Sequence, residues 1–313
     1  MLNRRSALRV TVASAVVGTG LLSTSDCSAR PSRPAGSSAA TAASTVADSA
    51  RLATGSAAVG CGGFGNSGLI FGVHSDGTMW GYPSARVPDA CAVTWLPESQ
   101  LGTGWDVMQR VFADHRAADD LYPVFAIDYI GNLFWYAYDP HKLAWVSGIG
   151  NRIGSGWHEF TSVTYAGNGV FYAVDPAGNL RWYRNLDPFG GSATWHDGSG
   201  TVIGVGWDVF PLLFASAGSI YGITTDGLLL WYGYSDPTRP DGSFADASGR
   251  PVGTGWDIMV AADAVAGNTQ TGVLVHGVDR NGNLREYLDV NPDGTASWAA
   301  GSGTIIGTHN WLS

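Results

Sequence analysis

The chain repeats itself about every 50 residues, and that period limits what it can fold into. The motif Gly-x-Gly-Trp occurs at 102–105, 154–157, 204–207 and 253–256, with a looser copy at 307–311. Its tryptophans are 52, 50, 49 and 55 residues apart. A period of this size marks a solenoid, a propeller or an array, in which each unit buries its apolar face on its neighbours. A second motif, Gly-x-(Leu/Met) leading to Trp or Tyr, appears at 77–82, 131–136, 178–183, 227–232 and 282–287. A third position is an aromatic residue 9–13 positions past that tyrosine: Trp95, Trp145, Trp195, Phe244 and Trp298. All 13 tryptophans fall into these three classes, with Trp80, Trp135, Trp182 and Trp231 placed in the second.

Each repeat holds several short alternating runs. In the third, 170–174 reads as a strand, 175–178 as a turn and 179–183 as the hairpin partner. Trp195 and Ile203 mark a further strand, and Gly206-Trp207 leads into 210–214. Four short strands per period predict an all-β chain, a five-bladed β-propeller of four-stranded antiparallel blades. The first repeat lacks its Gly-x-Gly-Trp before Leu69, and the last carries a spare copy. A C-terminal strand that completes blade one, joining both ends of the chain to close the ring, follows from this and leaves no exposed sheet edge.

Composition agrees. Glycine (44 of 313 residues) and tryptophan are abundant, and charged residues make up 14%. The net charge of −9 and the single lysine, Lys142, argue against a nucleic-acid partner, which needs clustered Lys and Arg. Residues 1–29 read as an export signal with Arg4-Arg5 of the twin-arginine type, and with cleavage after Ala29. The apolar run 10–22 has 13 residues, too short to span a bilayer, so the chain is expected to be secreted and not membrane-spanning. Residues 30–57 form a flexible Ser/Ala/Pro-rich leader, and 58–313 the propeller. In an exported chain Cys61 and Cys91 are expected to form a disulfide, stabilising by roughly 3–4 kcal/mol.

The succession 153–160, Ile-Gly-Ser-Gly-Trp-His-Glu-Phe, then Phe171-Tyr172-Ala173-Val174-Asp175, then Gly-Asn-Leu-Arg-Trp-Tyr at 178–183, resembles the tachylectin lectin family. The resemblance covers about residues 62–313. It implies a five-bladed propeller that binds N-acetylglucosamine or N-acetylgalactosamine between adjacent blades, without a metal or other cofactor. Its sites are built by the loop before the third aromatic and by the segment around Gly-x-Gly-Trp. Here that loop carries Asp139-Pro140, Asp187-Pro188, Asp236-Pro237 and Asn291-Pro292. It departs from the family in having Gly-Ser-Ala-Thr-Trp at 191–195 and Gly-Thr-Ala-Ser-Trp at 294–298, where the animal lectin has an Asp/Asn-rich stretch.

A neutral sugar needs an aromatic face for its C–H surface and a few polar groups for its hydroxyls. The candidates are Trp145, Trp195 and Trp298, with Asp139, Asp187, Asp236 and Asn291 of the loop. Asp106, His158, Asp208 and Asp257, which follow the Gly-x-Gly-Trp tryptophans, complete the set. The competing reading of each is structural: tryptophans packed between blades, and carboxylates bonded to their own turns. Blade four, with Phe244 for tryptophan and the longest loop, is expected to be the least typical. The expected partners are glycans bearing N-acetylhexosamine, and the chain is expected to be a monomer.

Other classes fit less well. A glycosidase needs paired carboxylates, and Glu98, Glu159 and Glu286, the chain's three glutamates, form no motif. An FG-GAP or integrin-like propeller, a protein-interaction module, would hold calcium in Asp-rich loops. Only Asp114, Asp119 and Asp120 cluster in that way, and they read as a solvated loop. The seven histidines (74, 115, 141, 158, 196, 276, 309) show no metal spacing.

Overall fold

The computed structural model describes residues 12–17, 67–87, 92–114, 121–146, 150–266, 272–308 and 311. Cys61, Cys91, His115, Asp119, Asp120, His309 and nearly all of the expected signal and leader lie outside them. The described residues form five antiparallel sheets. Blade one has β1 (Val12–Val17), β2 (Ser67–Val73), β3 (Met79–Val87), β4 (Ala92–Trp95) and β5 (Ser99–Gly102). Blade two has β6 (Met108–Ala113), β7 (Tyr122–Asp128), β8 (Leu133–Asp139), β9 (Ala144–Trp145) and β10 (Asn151–Gly154). Blade three has β11 (Ser162–Tyr165), β12 (Val170–Val174), β13 (Leu180–Arg184) and β14 (Thr201–Gly204). Blade four has β15 (Leu212–Ser216), β16 (Ser219–Ile223), β17 (Leu229–Gly233) and β18 (Arg250–Gly253). Blade five has β19 (Met259–Ala266), β20 (Val273–Asp279), β21 (Leu284–Asp289) and β22 (Thr304–Gly307).

The fold is the five-bladed propeller that the repeats predict. Innermost strands meet around the axis: β1 touches β6 and β19, and β15 touches β11 and β19. Each blade is a meander, and the outermost strand is the one that varies. In blades one and two it comes in two pieces, β4 with β5 and β9 with β10. In blades three to five the first piece shrinks to a single bridge, Asn185 to Trp195, Tyr234 to Phe244 and Asp289 to Trp298.

The Gly-x-Gly-Trp motif is explained by the turn it makes. Each outer strand slips register just before the first glycine, as between Arg152 and Gly154. That glycine lies under the tryptophan: a Cβ on Gly154 would stand 2.6 Å from Trp157 Nε1. The second glycine (Gly104, Gly156, Gly206, Gly255) has φ between 75 and 83°, which side chains avoid. The backbone N–H of the tryptophan then donates to the carbonyl of the hairpin-turn glycine, from Trp157 to Gly131 at 3.0 Å and from Trp207 to Gly178 at 2.9 Å. The motif is therefore a latch from the outer strand to the hairpin turn of its own blade.

The core is five hydrophobic clusters, one at each interface between blades. The one between blades five and one, built on Ile70, Tyr82, Leu284 and Trp311, is the smallest. The ring closes there. The C-terminal strand β22 pairs with β21 as the outermost strand of blade five. It therefore does not complete blade one as expected; the seam to blade one is closed by side chains, through the indole N–H of Trp95, which donates to Ile306 O at 2.5 Å, and through Trp311, packed 4.6 Å from Tyr82. The innermost place in blade one is taken by β1, paired from Val12 opposite Gly72 to Val17 opposite Ser67. Those residues lie within the expected export segment.

Candidate functional site

The same aromatic trio stands at every interface. Trp157 lies 4.9 Å from Tyr183 and 5.7 Å from Trp195. Trp105 with Tyr136 and Trp145, Trp207 with Tyr232 and Phe244, and Trp256 with Tyr287 and Trp298 repeat it. The Gly-x-Gly-Trp tryptophans are buried. Trp95, Trp145, Trp195 and Trp298 are half-buried, and their indole N–H groups are already committed. Trp145 donates to Leu101 O at 2.7 Å, Trp195 to Ile153 O at 2.7 Å and Trp298 to Val252 O at 2.6 Å. These are carbonyls of the preceding blade's outer strand. The tryptophans therefore bolt blades together, and only their ring faces remain for a ligand. Phe244 keeps the packing, 5.8 Å from Trp207, but has no N–H to donate.

The loop carboxylates hold their own turns. Asp139 accepts the N–H groups of His141 and Lys142, and its ion pair with Lys142 at 2.8 Å leads the effects that lower its pKa. Asp187 accepts from the N–H groups of Gly190 and Ser192. Asp236 accepts from the hydroxyl and N–H of Thr238, which lower its pKa. Asn291 donates its side-chain amide to Asp293. Asp106, Asp208 and Asp257 sit against the hairpin glycines: a Cβ on Gly77 would meet Asp106 Oδ1 at 2.6 Å. His158 stands in the same relation to Gly131.

The structure does not bring these two sets together. The hairpin turns lie at the start of β8 and β13, and the Asp-Pro loops at their ends. The five residues of β13, at about 3.3 Å each, separate them by roughly 16 Å, and the longer β8 by more. The loop residues belong to one end of the blades, and Asp106, His158, Asp208 and Asp257, beside the hairpin glycines, to the other. Of the calcium-type cluster, Asp119 and Asp120 lie outside the described residues; Asp114 accepts from the hydroxyl of Tyr165 at 2.6 Å and the N–H of Asn168.

Two openings among the described residues flank blade one. Between blades five and one, Tyr82, Trp95, Leu96, Pro97, Glu98 and Trp311 line a recess of about 350 Å³. Burial, and next the charge of Glu98, push the Tyr82 hydroxyl up to about 12. Tyr82 also shares a hydrogen bond of 2.7 Å with His74 Nε2. Between blades one and two lies a second cavity of about 230 Å³. Trp80 departs from its motif class: the strand register sets it opposite Gly72, with Gly81 opposite Phe71, as Trp135 is opposite Phe125. Trp80 therefore faces away from the position of Trp135, Trp182 and Trp231. It is half-buried beside His74, with ring centres 5.9 Å apart. The signal was in the sequence, since Trp80 follows its glycine by three residues and the others by four.

No protein-family profile matches the sequence, and no curated protein does. Among solved structures the chain is similar to the BP39L lectin from Burkholderia pseudomallei, at 18% identity. That match covers 77% of this chain and 67% of that one, with a TM-score of 0.41. It is also similar to the fucose-specific lectin from Aleuria aurantia, at 17% identity, over 79% and 76%, with a TM-score of 0.43. SapL1 lectin, solved with α-methyl fucoside, matches at 13% identity over 77% and 76%, with a TM-score of 0.43.

Proposed function

We propose that the chain is a secreted, multivalent carbohydrate-binding protein, a lectin and not an enzyme, that takes N-acetylhexosamine sugars between its blades. The observation that carries this reading is the recess at the closure of the ring. Trp95, Trp311 and Tyr82 supply aromatic faces for the C–H surface of a sugar, and Glu98 supplies an acceptor for its hydroxyls. Leu96 and Pro97 add an apolar wall suited to an acetamide methyl group. Among the described lining residues Glu98 is the one carboxylate, where glycoside hydrolysis needs two. The aromatic trio recurs at the other four interfaces, so weaker copies of the site stand around a rigid ring. Simultaneous engagement of several raises apparent affinity by roughly 10²–10⁴.

The test is a glycan array with the full chain, with and without a calcium chelator. N-acetylglucosamine, N-acetylgalactosamine and α-methyl fucoside serve as soluble competitors. Chelator-insensitive binding displaced by the N-acetylhexosamines, and lost in Glu98→Gln and Trp95→Ala, is the expected result. Displacement by the fucoside alone changes the sugar and keeps the lectin. An array without signal from folded protein ends the lectin reading and leaves a protein-interaction scaffold as the better account.

A further inference from the structure

We propose that the cavity between blades one and two is a binding site for a small planar aromatic ring of the indole class. The inference does not depend on the sugar reading. In blades two, three and four one strand position carries a buried tryptophan: Trp135, Trp182 and Trp231. Each indole runs beneath the loop of the next blade. Trp135 Nε1 donates to Pro188 O at 2.8 Å, and Trp182 Nε1 to Pro237 O at 2.9 Å. The loops close down on these rings. A Cβ on Gly294 would stand 2.9 Å from Trp231, and one on Gly191 would overlap Trp135 outright. Blade one has Gly81 at that position.

The space that an indole fills elsewhere is therefore left open, at about 230 Å³. Leu69, Gly81 and Leu101 wall it from blade one, and Tyr138, Pro140 and Leu143 from blade two. Among the described lining residues there is no carboxylate, lysine or arginine. A dry apolar cavity of roughly 150 Å³ is enough to hold benzene, so this one has room for a two-ring aromatic. A flat apolar ring suits it better than a sugar, because its described lining is mostly apolar, with Ser84, Ser99, Tyr122, Tyr138 and His141 as the polar side chains. Pro140 is the counterpart of Pro188 and Pro237, which places an acceptor carbonyl where a ring N–H is received in the next two interfaces. The loop also differs. Leu143 has φ 49°, the left-handed conformation of Gly191 and Gly294, and is 71% exposed at the opening. The cavity is thus reached past one side chain and not sealed by a glycine turn.

Indole itself is the probe, added to the full chain with labelled leucine methyl groups. The expected result is saturable binding with a submillimolar Kd, with nuclear Overhauser contacts from indole to Leu69 and Leu101. Gly81→Trp supplies the missing ring from the protein and is expected to weaken binding at least tenfold, with native near-UV circular dichroism. Its Cβ would stand 2.9 Å from Leu101 Cδ1, a flexible end that must turn aside. If that variant does not fold, Gly81→Leu asks the same question with a smaller side chain. N-acetylglucosamine is expected to leave indole binding unchanged. No indole binding by the wild type, contacts mapping elsewhere, a folded Gly81→Trp that keeps its affinity, or displacement by N-acetylglucosamine would each overturn the proposal.

Discussion

Blades three and one share a strand plan but not a way of filling it. In blade three Trp182 is wholly buried and spans the interface to the loop of blade four. In blade one Gly81 stands in its place, and a cavity lies where the ring would be. The hairpin turns differ as well. Asp175 accepts the N–H of Asn179, its side-chain amide and Arg181 Nε. The turn of blade one has His74 at that position, turned toward Tyr82. Even the innermost strand differs in origin: β11 follows directly from the preceding latch, and β1 comes from far upstream in the chain. One blade is thus a packed structural unit, while the other is where openings and the ring closure collect. A repeat fold tolerates such a site because its other interfaces supply the stability.

The comparison is broken most severely by removing a strand. A chain starting at residue 30 lacks β1, so amide exchange in β2 is expected to rise by orders of magnitude, while β12 stays protected. Equal protection of β2 in both chains would mean that its inner edge is covered in another way. The next largest effect is Trp182→Ala, expected to cost about 3–5 kcal/mol in urea unfolding, because it removes a fully buried indole and opens a hole. The reverse change, Gly81→Trp, is expected to stabilise by about 0.5–2 kcal/mol through cavity filling, with the rearrangement of Leu101 setting where in that range it falls. A Trp182→Ala cost below 1 kcal/mol would remove the distinction between the two blades.

The smallest effect is on acid stability. Hydrogen bonds from Asn179, with Arg181 adding to them, hold the Asp175 carboxyl down to about 2. A carboxyl depressed in the folded state stabilises it above the ordinary carboxylate range near pH 4. That contribution fades as pH falls from there to about 2. Asp175→Asn is therefore expected to lower thermal stability at pH 7, where the carboxylate contribution is fully present, and to flatten the further loss of stability across that window. Asp279, bonded to Asn283 and Arg285 and also lowered, is expected to act in the same direction in blade five.

Much of this was legible in the sequence. The five-fold period, the three aromatic classes and the hairpin turns are local signals, set by glycines that adopt a positive φ without strain and by tryptophans that must be covered. The number of blades and the spare latch at the C-terminus follow from counting them. The candidate site was legible only in part. Trp145, Trp195 and Trp298 do stand at the interfaces, but their N–H groups are spent on the preceding blade. Asp106, His158, Asp208 and Asp257 share a spacing with those tryptophans but turn to the other end of the blade. Sequence spacing gives position along a strand and not the end of the sheet at which a side chain works.

What the sequence by itself determined is the repeated unit: four short strands, a latch and an aromatic at each seam. Only the tertiary structure decided where the unit fails to fill its seam. Gly81 is one residue in a strand, and the cavity beside it exists because blade two lays Pro140 and Leu143 over that glycine from more than 50 residues away. Glu98 gains its meaning in the same way, by meeting Trp311 from the far end of the chain. Shape at a seam is a property of two surfaces, and a linear sequence specifies each surface without stating which one it will face.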